Sequence, residues 1–317
     1  MAAVGGGDPL DAPEDAWAAI RGYQEAMKFI LQLADDPHFA YDPSLIKSLH
    51  YMMMQYDLSK TPGLWRSGVM YVYDERTEEM VYEAPDAIAV PRLVDELVAE
   101  LQDQDNAVPA IVRGAMTHLN LVMIHPFRDG NGRMGRALQT LVLVREGVLS
   151  PAFASIEEYL GRYTDAYYAV LAEVGGGVWQ PSRDTRPWIR FVLTAHYHQA
   201  RTLLRRTDEA QRRSDRLDQE LAIRRLPERS LGALWDAALG LRVNNTTYRN
   251  FADVSLAVAG RDLKALSDGG LLEARGQARG RYYEASEKLK ALEFSIRRDR
   301  RPIPDPFATG ADSAGAG

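Results

Sequence analysis

His125-Pro126-Phe127-Arg128-Asp129-Gly130-Asn131-Gly132-Arg133-Met134-Gly135-Arg136 is the stretch on which the reading of this chain turns. Before it, Val108, Ile111, Val112, Ala115, Met116, Leu119 and Met123 recur at helical spacing. After it, Ala137, Leu138, Leu141 and Val142 do the same until Gly147. The stretch is therefore a Gly-rich loop entering a helix N-terminus, wedged between two buried helices. A helix start leaves backbone N–H groups without partners and carries the positive end of the dipole, so the loop reads as an anion site. Gly130 and Gly132 allow positive φ and close backbone approach. Arg133 and Arg136, three apart, can grip phosphate oxygens. Asp129 is a hard oxygen ligand beside that anion, as Mg²⁺ requires when it rides on phosphates. His125 is the one group there able to take a proton near neutral pH.

Two other phosphate motifs compete. Gly130, Gly132 and Gly135 also satisfy G-x-G-x-x-G, but a dinucleotide fold needs a strand before that motif and another strand about 20 residues on. Here a helical pattern precedes it, and SPAFASIEEYLGRY follows Gly147. No Gly-Lys dipeptide occurs, which excludes the Walker A loop.

The 317 residues suit two modest domains, with 46% hydrophobic and 26% charged residues. The absence of cysteine excludes a disulfide scaffold, thiolate zinc or iron–sulfur sites and a cysteine nucleophile. No apolar run approaches membrane-spanning length and the N-terminus does not read as a signal peptide, so the expectation is a cytoplasmic protein with no membrane partner. The net charge of -6 hides an asymmetry: residues 1–190 carry 16 Lys+Arg against 27 Asp+Glu, and residues 191–317 carry 22 against 17. Halves of opposite sign suggest parts with different partners.

Along the chain, residues 1–14 read as disordered. Helical patterns run from about 15 to 34, 45 to 53, 92 to 101, 107 to 124, 133 to 146, 155 to 174 and 185 to 223, with Asp42 or Ser44 capping the second. Residues 67–83 alternate apolar and polar around a charged turn, which predicts a β-hairpin. Residues 201–226 read as a charged helical connector and 293–317 as a mostly disordered tail.

The twelve-residue stretch resembles HPFx(D/E)GNGRxxR, the signature of the Fic (filamentation induced by cyclic AMP) family of protein AMPylating enzymes, at all of its fixed positions. Pro62-Gly63-Leu64-Trp65-Arg66 with the hairpin is similar to the family's PGxxR segment and target-docking flap, and Arg162 with Tyr167-Tyr168 to its Arg…Tyr-Tyr segment. The resemblance covers residues 15–200 and implies a mostly α fold, a helical core with a β-hairpin flap. It implies transfer of AMP from ATP to a Tyr, Thr or Ser hydroxyl of a target protein, with Mg²⁺ on Asp129 and His125 as general base. Phe127, Arg128, Asp129, Gly130, Asn131, Gly132, Arg133, Arg136, Tyr167 and Tyr168 would line the nucleotide site, with Asn131 orienting phosphate oxygens. By residue type alone, Phe127 reads as an apolar plug, Arg128 as a solvated charge, His118 as a packed residue and the tyrosines as core. Many relatives carry an inhibitory Ser/Thr-x-x-x-Glu whose glutamate pairs with the motif's second arginine. No glutamate here has Ser or Thr four residues earlier, so the expectation is basal activity, with inhibition by a partner in trans or by a segment upstream of residue 1 as the alternatives.

Residues 227–292 resemble a winged helix-turn-helix. Ser255–Ser267 would be the recognition helix with Arg261 and Lys264, and Arg275, Arg279 and Arg281 would form a basic wing over residues 275–281, giving a DNA-binding or dimerisation module. The alternative functions are a DNA-binding regulator with a sensing or vestigial core, or another phosphate-moiety transferase. Gly132 argues against the phosphotransferase branch, which has lysine there.

Overall fold

The chain divides into two units, one ending at Gln199 and one beginning at Ala200. A computed structural model describes residues 14–74, 76–103, 107–148, 156–277, 280–298 and 300–307. Expectations for residues 1–13 and 308–317, and for Arg279, fall outside the described residues.

In the first unit, α1 (Glu14–Ala34) packs on α2 (Pro43–Met54). Gly22 allows that approach, since a Cβ there would meet the Met53 carbonyl oxygen at 2.7 Å. Asp42 caps α2 by accepting the Leu45 N–H, and Pro43 takes the first turn, where no N–H is needed. Pro91 likewise sits in the first turn of α3 (Val90–Gln102), so the helix starts before the proline rather than after it.

The centre of the unit is α4 (Ala110–Ile124) against α5 (Asn131–Arg145). They run antiparallel: Gly114 faces Gln139 and Leu143, while Gly135 faces His118 and Val122. The sequence of α4 is apolar on two faces because it serves two apolar clusters. Leu121 and Ile124 join Ile30, Leu49, Met53, Val94, Phe127 and Leu138; Ala115, Leu119 and Met123 join Tyr82, Leu160, Tyr167, Trp188 and Val192. Each large apolar side chain buried this way contributes about 1.5–3 kcal/mol against exposure.

The hairpin forms as expected but with shorter arms, β1 (Tyr71–Tyr73) and β2 (Met80–Glu83), paired antiparallel with a bulge between Val72 and Tyr73. A two-residue strand, β3 (Gly177–Val178), lies parallel to β2 on its other side. The expected helix over 155–174 breaks at Tyr163 into α6 (Glu157–Arg162) and α7 (Thr164–Gly175).

The helix α8 (Arg186–Arg224) begins in the first unit, and its residues from 200 onward belong to the second. Those later residues are more than a connector: Leu217 and Leu221 lie in the second core. That unit continues through α9 (Leu231–Ala238), α10 (Asn245–Ala252), α11 (Leu256–Asp268), β4 (Leu272–Arg275), β5 (Tyr282–Ala285) and α12 (Glu287–Arg297). β4 and β5 pair antiparallel, and Val243 bridges Tyr283. Asn244 caps α10 and forms a capping box with Thr247. The helix α12 carries order past residue 292 because Arg213 and Arg297 both engage Glu293 on its inner face. Among the described residues, no helix is long and apolar enough to cross a membrane.

Candidate active site

The site forms where α4 ends and α5 begins. His125 stops α4 by turning into the left-handed region at φ 51° while its N–H still reaches the Leu121 carbonyl at 3.0 Å. That conformation costs a residue with a Cβ about 1–2 kcal/mol, so neighbours must hold it. Arg66 does so. Its Nε donates to the His125 carbonyl at 2.8 Å, its Nη1 to Gly68 at 2.7 Å, and its Nη2 to the Pro85 and Ile124 carbonyls. Gly68 and Pro85 lie at the two feet of the hairpin, so a single buried guanidinium joins the flap to the histidine. The hydrogen bonds of Arg66 thus go to backbone carbonyls rather than to a carboxylate.

The His125 ring is half-buried, with Nδ1 3.1 Å from the Val122 carbonyl oxygen. Only a protonated Nδ1 satisfies that acceptor, which leaves Nε2 as the basic nitrogen. Burial holds the His125 pKa below the usual histidine value; Arg66 adds to this, while the Val122 carbonyl and Asp129 oppose it.

The loop is shaped from both sides. Phe127 is fully buried, stacked on His50 at 3.7 Å between ring centroids and flanked by Trp65 at 5.0 Å. His50 Nδ1 accepts the Gly63 N–H at 2.9 Å, so its Nε2 carries the proton and donates to the Asp129 carbonyl at 2.9 Å. The Asn131 amide pairs with the backbone of Phe127, accepting its N–H at 3.0 Å and donating to its carbonyl at 2.9 Å. Its polar atoms are engaged in forming the loop rather than turned toward a phosphate. Gly130 takes φ 79°, as the motif requires, but Gly132 is helical and shows no positive φ.

The Asp129 carboxylate accepts the Gly130 N–H at 2.5 Å through Oδ1. Lys60 Nζ and Arg133 Nη2 each lie 3.8 Å from it. The N–H groups of Asn131, Gly132 and Arg133 open α5 with no carbonyl four residues earlier in the helix, so they face outward as donors. Among the described residues no group of three or more His, Asp or Glu could cage a metal ion. One half-exposed carboxylate does fit Mg²⁺, which keeps waters and shares substrate phosphates.

Arg136 is partly buried, and its Nε donates to Glu157 Oε1 at 2.7 Å. The Tyr23 hydroxyl donates to the same oxygen at 2.6 Å. Burial opposes the Arg136 charge, yet Glu157, Tyr167 and Tyr23 outweigh it and hold the pKa above the ordinary arginine value. Tyr167 is buried, its hydroxyl 3.1 Å from His118 Nε2. His118 Nδ1 meets Gln139 Oε1 at 2.7 Å, and Gln139 Nε2 meets His196 at 2.9 Å. Tyr167 therefore stands in the core beside Arg136, while Tyr168 is 62% exposed. Arg128 is exposed and donates to the Ser59 carbonyl, and Arg162 forms a surface pair with Glu158.

The structure thus gathers His125, Phe127, Asp129, Gly130, Asn131, Gly132, Arg133 and Arg136 at one loop, leaves Arg128 and Tyr168 at the surface, and buries Tyr167. Sequence reading missed His50, Lys60, Tyr23 and Glu157. None carries a local signal, since each reaches the loop from another element. In the second unit, Arg261 and Arg281 are exposed, Lys264 pairs with Asp268 at 2.6 Å, and Arg275 lies between Glu273 at 2.8 Å and Glu284 at 3.6 Å.

Residues 40–143, from α2 through this loop and into α5, match the Fic/DOC family. The chain carries a Fic/DOC family domain. Over 117 residues it is 32% identical to a protein adenylyltransferase of Caenorhabditis briggsae, a match covering 35% of this chain and 21% of that one. Over 78 residues it is 38% identical to a protein adenylyltransferase of Nematostella vectensis, covering 25% of this chain and 16% of the relative. The chain therefore spans only a fraction of these curated relatives. A Fic family protein of known structure from Desulfovibrio desulfuricans G20 superposes with a TM-score of 0.56 at 22% identity, covering 90% of this chain and 79% of that one. That is a likeness of fold. The Fic/DOC match includes Arg66 as well as the motif, and so takes in the carbonyl clamp that sets His125.

Proposed function

We propose that this chain is a protein adenylyltransferase, moving AMP from ATP to a Tyr, Thr or Ser hydroxyl of a protein. The observation that carries the reading is the pairing of an unprotonated His125 Nε2 with a cationic loop: Arg133, Arg136 and the first N–H groups of α5. A hydroxyl oxygen attacks the α-phosphorus, its proton passes to His125 Nε2, and the bond to the bridging oxygen breaks to release diphosphate. The two arginines and the helix start hold the phosphate charge that grows on the leaving group. A positioned base of this kind contributes about 10²–10⁴-fold, and alignment with charge stabilisation the rest. Asp129 would hold Mg²⁺, which would neutralise phosphate charge and orient the leaving oxygen.

The hairpin supports a protein as acceptor. β1 is an edge strand with exposed Tyr71 and Tyr73, and an extended segment can pair with such an edge through main-chain hydrogen bonds. The second unit is read as a winged helix-turn-helix, supported by α9–α11 followed by the β4–β5 ribbon and the Val243 bridge. Glu273 and Glu284 offset the charge of Arg275, which favours a contact module over a DNA reader.

Incubation with ATP labelled at the α- or γ-phosphate tests the chemistry, with the chain itself as the first acceptor and His125→Ala as control. Protein-bound label should come from the α position alone and vanish in the variant. Transfer of γ-label would establish a kinase instead.

A further inference from the structure

We propose that Glu157, backed by Tyr23, is a positioning residue for Arg136: it takes the guanidinium by Nε and leaves the Nη edge turned toward the anion loop. This inference rests on the nucleotide-phosphate reading of that loop.

A carboxylate beside a phosphate-binding arginine has two opposite meanings. It can occupy the edge that a phosphate needs, or it can hold the arginine from behind. The geometry distinguishes them. The bond to Glu157 Oε1 comes from Nε, at 2.7 Å. The other end of the guanidinium lies over the first turn of α5, with Nη1 3.4 Å from where a Cβ on Gly132 would stand. The Gly132 N–H is one of the donors that open α5. One guanidinium thus meets a carboxylate with its Nε and lies with its Nη1 beside the first turn of α5. The Tyr23 and Tyr167 oxygens also hydrogen-bond this guanidinium, so a second anion would take the donors that Glu157 and the two tyrosines leave.

The holder is itself held. The Tyr23 hydroxyl reaches Glu157 Oε1 at 2.6 Å from α1, across 134 residues of sequence. Burial and the adjacent Glu157 charge keep that hydroxyl protonated, with its pKa well above the usual tyrosine value, so it donates to Glu157 while its oxygen accepts from Arg136. Glu157 opens α6, where the helix dipole favours a carboxylate. On the far side, Gln139 Oε1 requires the proton on His118 Nδ1. His118 Nε2 is then an acceptor, the Tyr167 hydroxyl donates to it, and the Tyr167 oxygen is left to face Arg136. Arg136 is thus fixed between an acid on its Nε and a tyrosine oxygen. Fixing a long side chain before substrate arrives removes an ordering cost from binding and from the transition state.

The test uses the full chain with Mg²⁺ and ATP, reading ATP affinity by calorimetry and AMP transfer by α-label. Glu157→Ala should raise KM for ATP about 10-fold or more, since a charge-assisted contact that orients Arg136 is lost. Glu157→Gln, which keeps an acceptor oxygen, should recover part of the loss. Tyr23→Phe should weaken ATP binding about 2–5-fold, as removal of one hydrogen bond to the holder predicts. The acid limb of the pH–rate profile, which belongs to His125, should stay in place in all three. Faster transfer or tighter ATP binding in Glu157→Ala would overturn the proposal and mark the carboxylate as a competitor of phosphate. Unchanged KM in both Glu157→Ala and Tyr23→Phe would overturn it as well. Failure of the wild-type chain to bind ATP would instead remove the nucleotide reading, and this inference with it.

Discussion

Asn131 closes a two-bond ring on the backbone of Phe127, accepting its N–H at 3.0 Å and donating to its carbonyl at 2.9 Å. Both residues are buried, so neither backbone group has water as a substitute. Asn131→Ala leaves the two groups unpaired and should cost about 2–4 kcal/mol in urea unfolding. Asn131→Asp is the sharper probe. It keeps an acceptor for the N–H but turns a second oxygen toward the Phe127 carbonyl, so it should be no better than alanine. Both variants should lose about 10²-fold in AMP transfer, because a loop displaced by an ångström misplaces His125. An Asn131→Ala chain of normal stability and lowered activity would instead assign the amide to substrate.

Arg66 has no carboxylate partner in the hydrogen-bond network it makes; it is held by four carbonyls, from Gly68, Pro85, Ile124 and His125. Arg66→Met preserves much of the buried stem and removes every donor. It should destabilise the chain by about 3 kcal/mol or more, since several buried carbonyls lose their partners together. Arg66→Lys should fall between, because an ammonium cannot reach the two feet of the hairpin and the His125 carbonyl at once. Urea midpoints for the three proteins give the order directly.

The cradle was legible in the sequence because a loop-to-helix junction concentrates its parts: His125, Asp129, Arg133 and Arg136 stand within one run, and the apolar spacing on either side names both helices. The supports were not. Tyr23 and Glu157 meet across 134 residues, and His50 reaches Asp129 from another helix; periodicity records which face is buried, not what lies opposite. The strand β3 was invisible because glycines have low strand propensity and only its pairing with β2 makes it a strand. The break at Tyr163 falls with no proline beside it, so the 3.6-residue pattern ran straight through. Gly132 differs from the expectation in one respect, a helical backbone in place of a positive φ, because it lies inside the first turn of α5.

Gly135 and Gly132 should therefore respond differently to alanine. A Cβ on Gly135 would lie 2.5 Å from His118 Cδ2, inside a packed helix pair. His118 would have to move and break its contacts with Gln139 and Tyr167, so Gly135→Ala should cost about 1–3 kcal/mol by overpacking. On Gly132 the added carbon would meet Arg136 Nη1 at an ordinary 3.4 Å. Gly132→Ala should fold at least as well, helped by about 1 kcal/mol of helix propensity, while binding ATP more weakly. Thermal melting and ATP titration separate the pair.

Two buried histidines make the chain acid-sensitive. Burial pushes His118 down to about 3 and His196 to about 4, from an ordinary value of 6.5. In the unfolded chain both take protons once the pH falls below 6.5, while the folded chain keeps them neutral until much lower. The unfolded state then binds more protons, and stability falls with pH at about 1.4 kcal/mol per unit for each histidine. Together they should remove about 4 kcal/mol between pH 7 and pH 5. His196→Gln should remove roughly half of the part due to this pair, as seen in urea midpoints at the two pH values. An unchanged pH dependence would show that His196 is protonated in the folded chain.

As the proposed base, His125 should set the pH dependence of AMP transfer. Its pKa lies below 6.5, chiefly through burial and with a contribution from Arg66. A general base works in its unprotonated form, so kcat/KM for AMP transfer should be flat at neutral pH and fall only below 6.5. The direction follows from the shift: a depressed pKa extends the basic form toward acid, at the expense of intrinsic basicity. If His125 acted first as a proton donor, the limb would lie on the other side and activity would fall as pH rises. Profiles measured on the wild-type chain with α-labelled ATP decide between the two, and an acid limb at or above 6.5 would contradict the buried, Val122-bound ring.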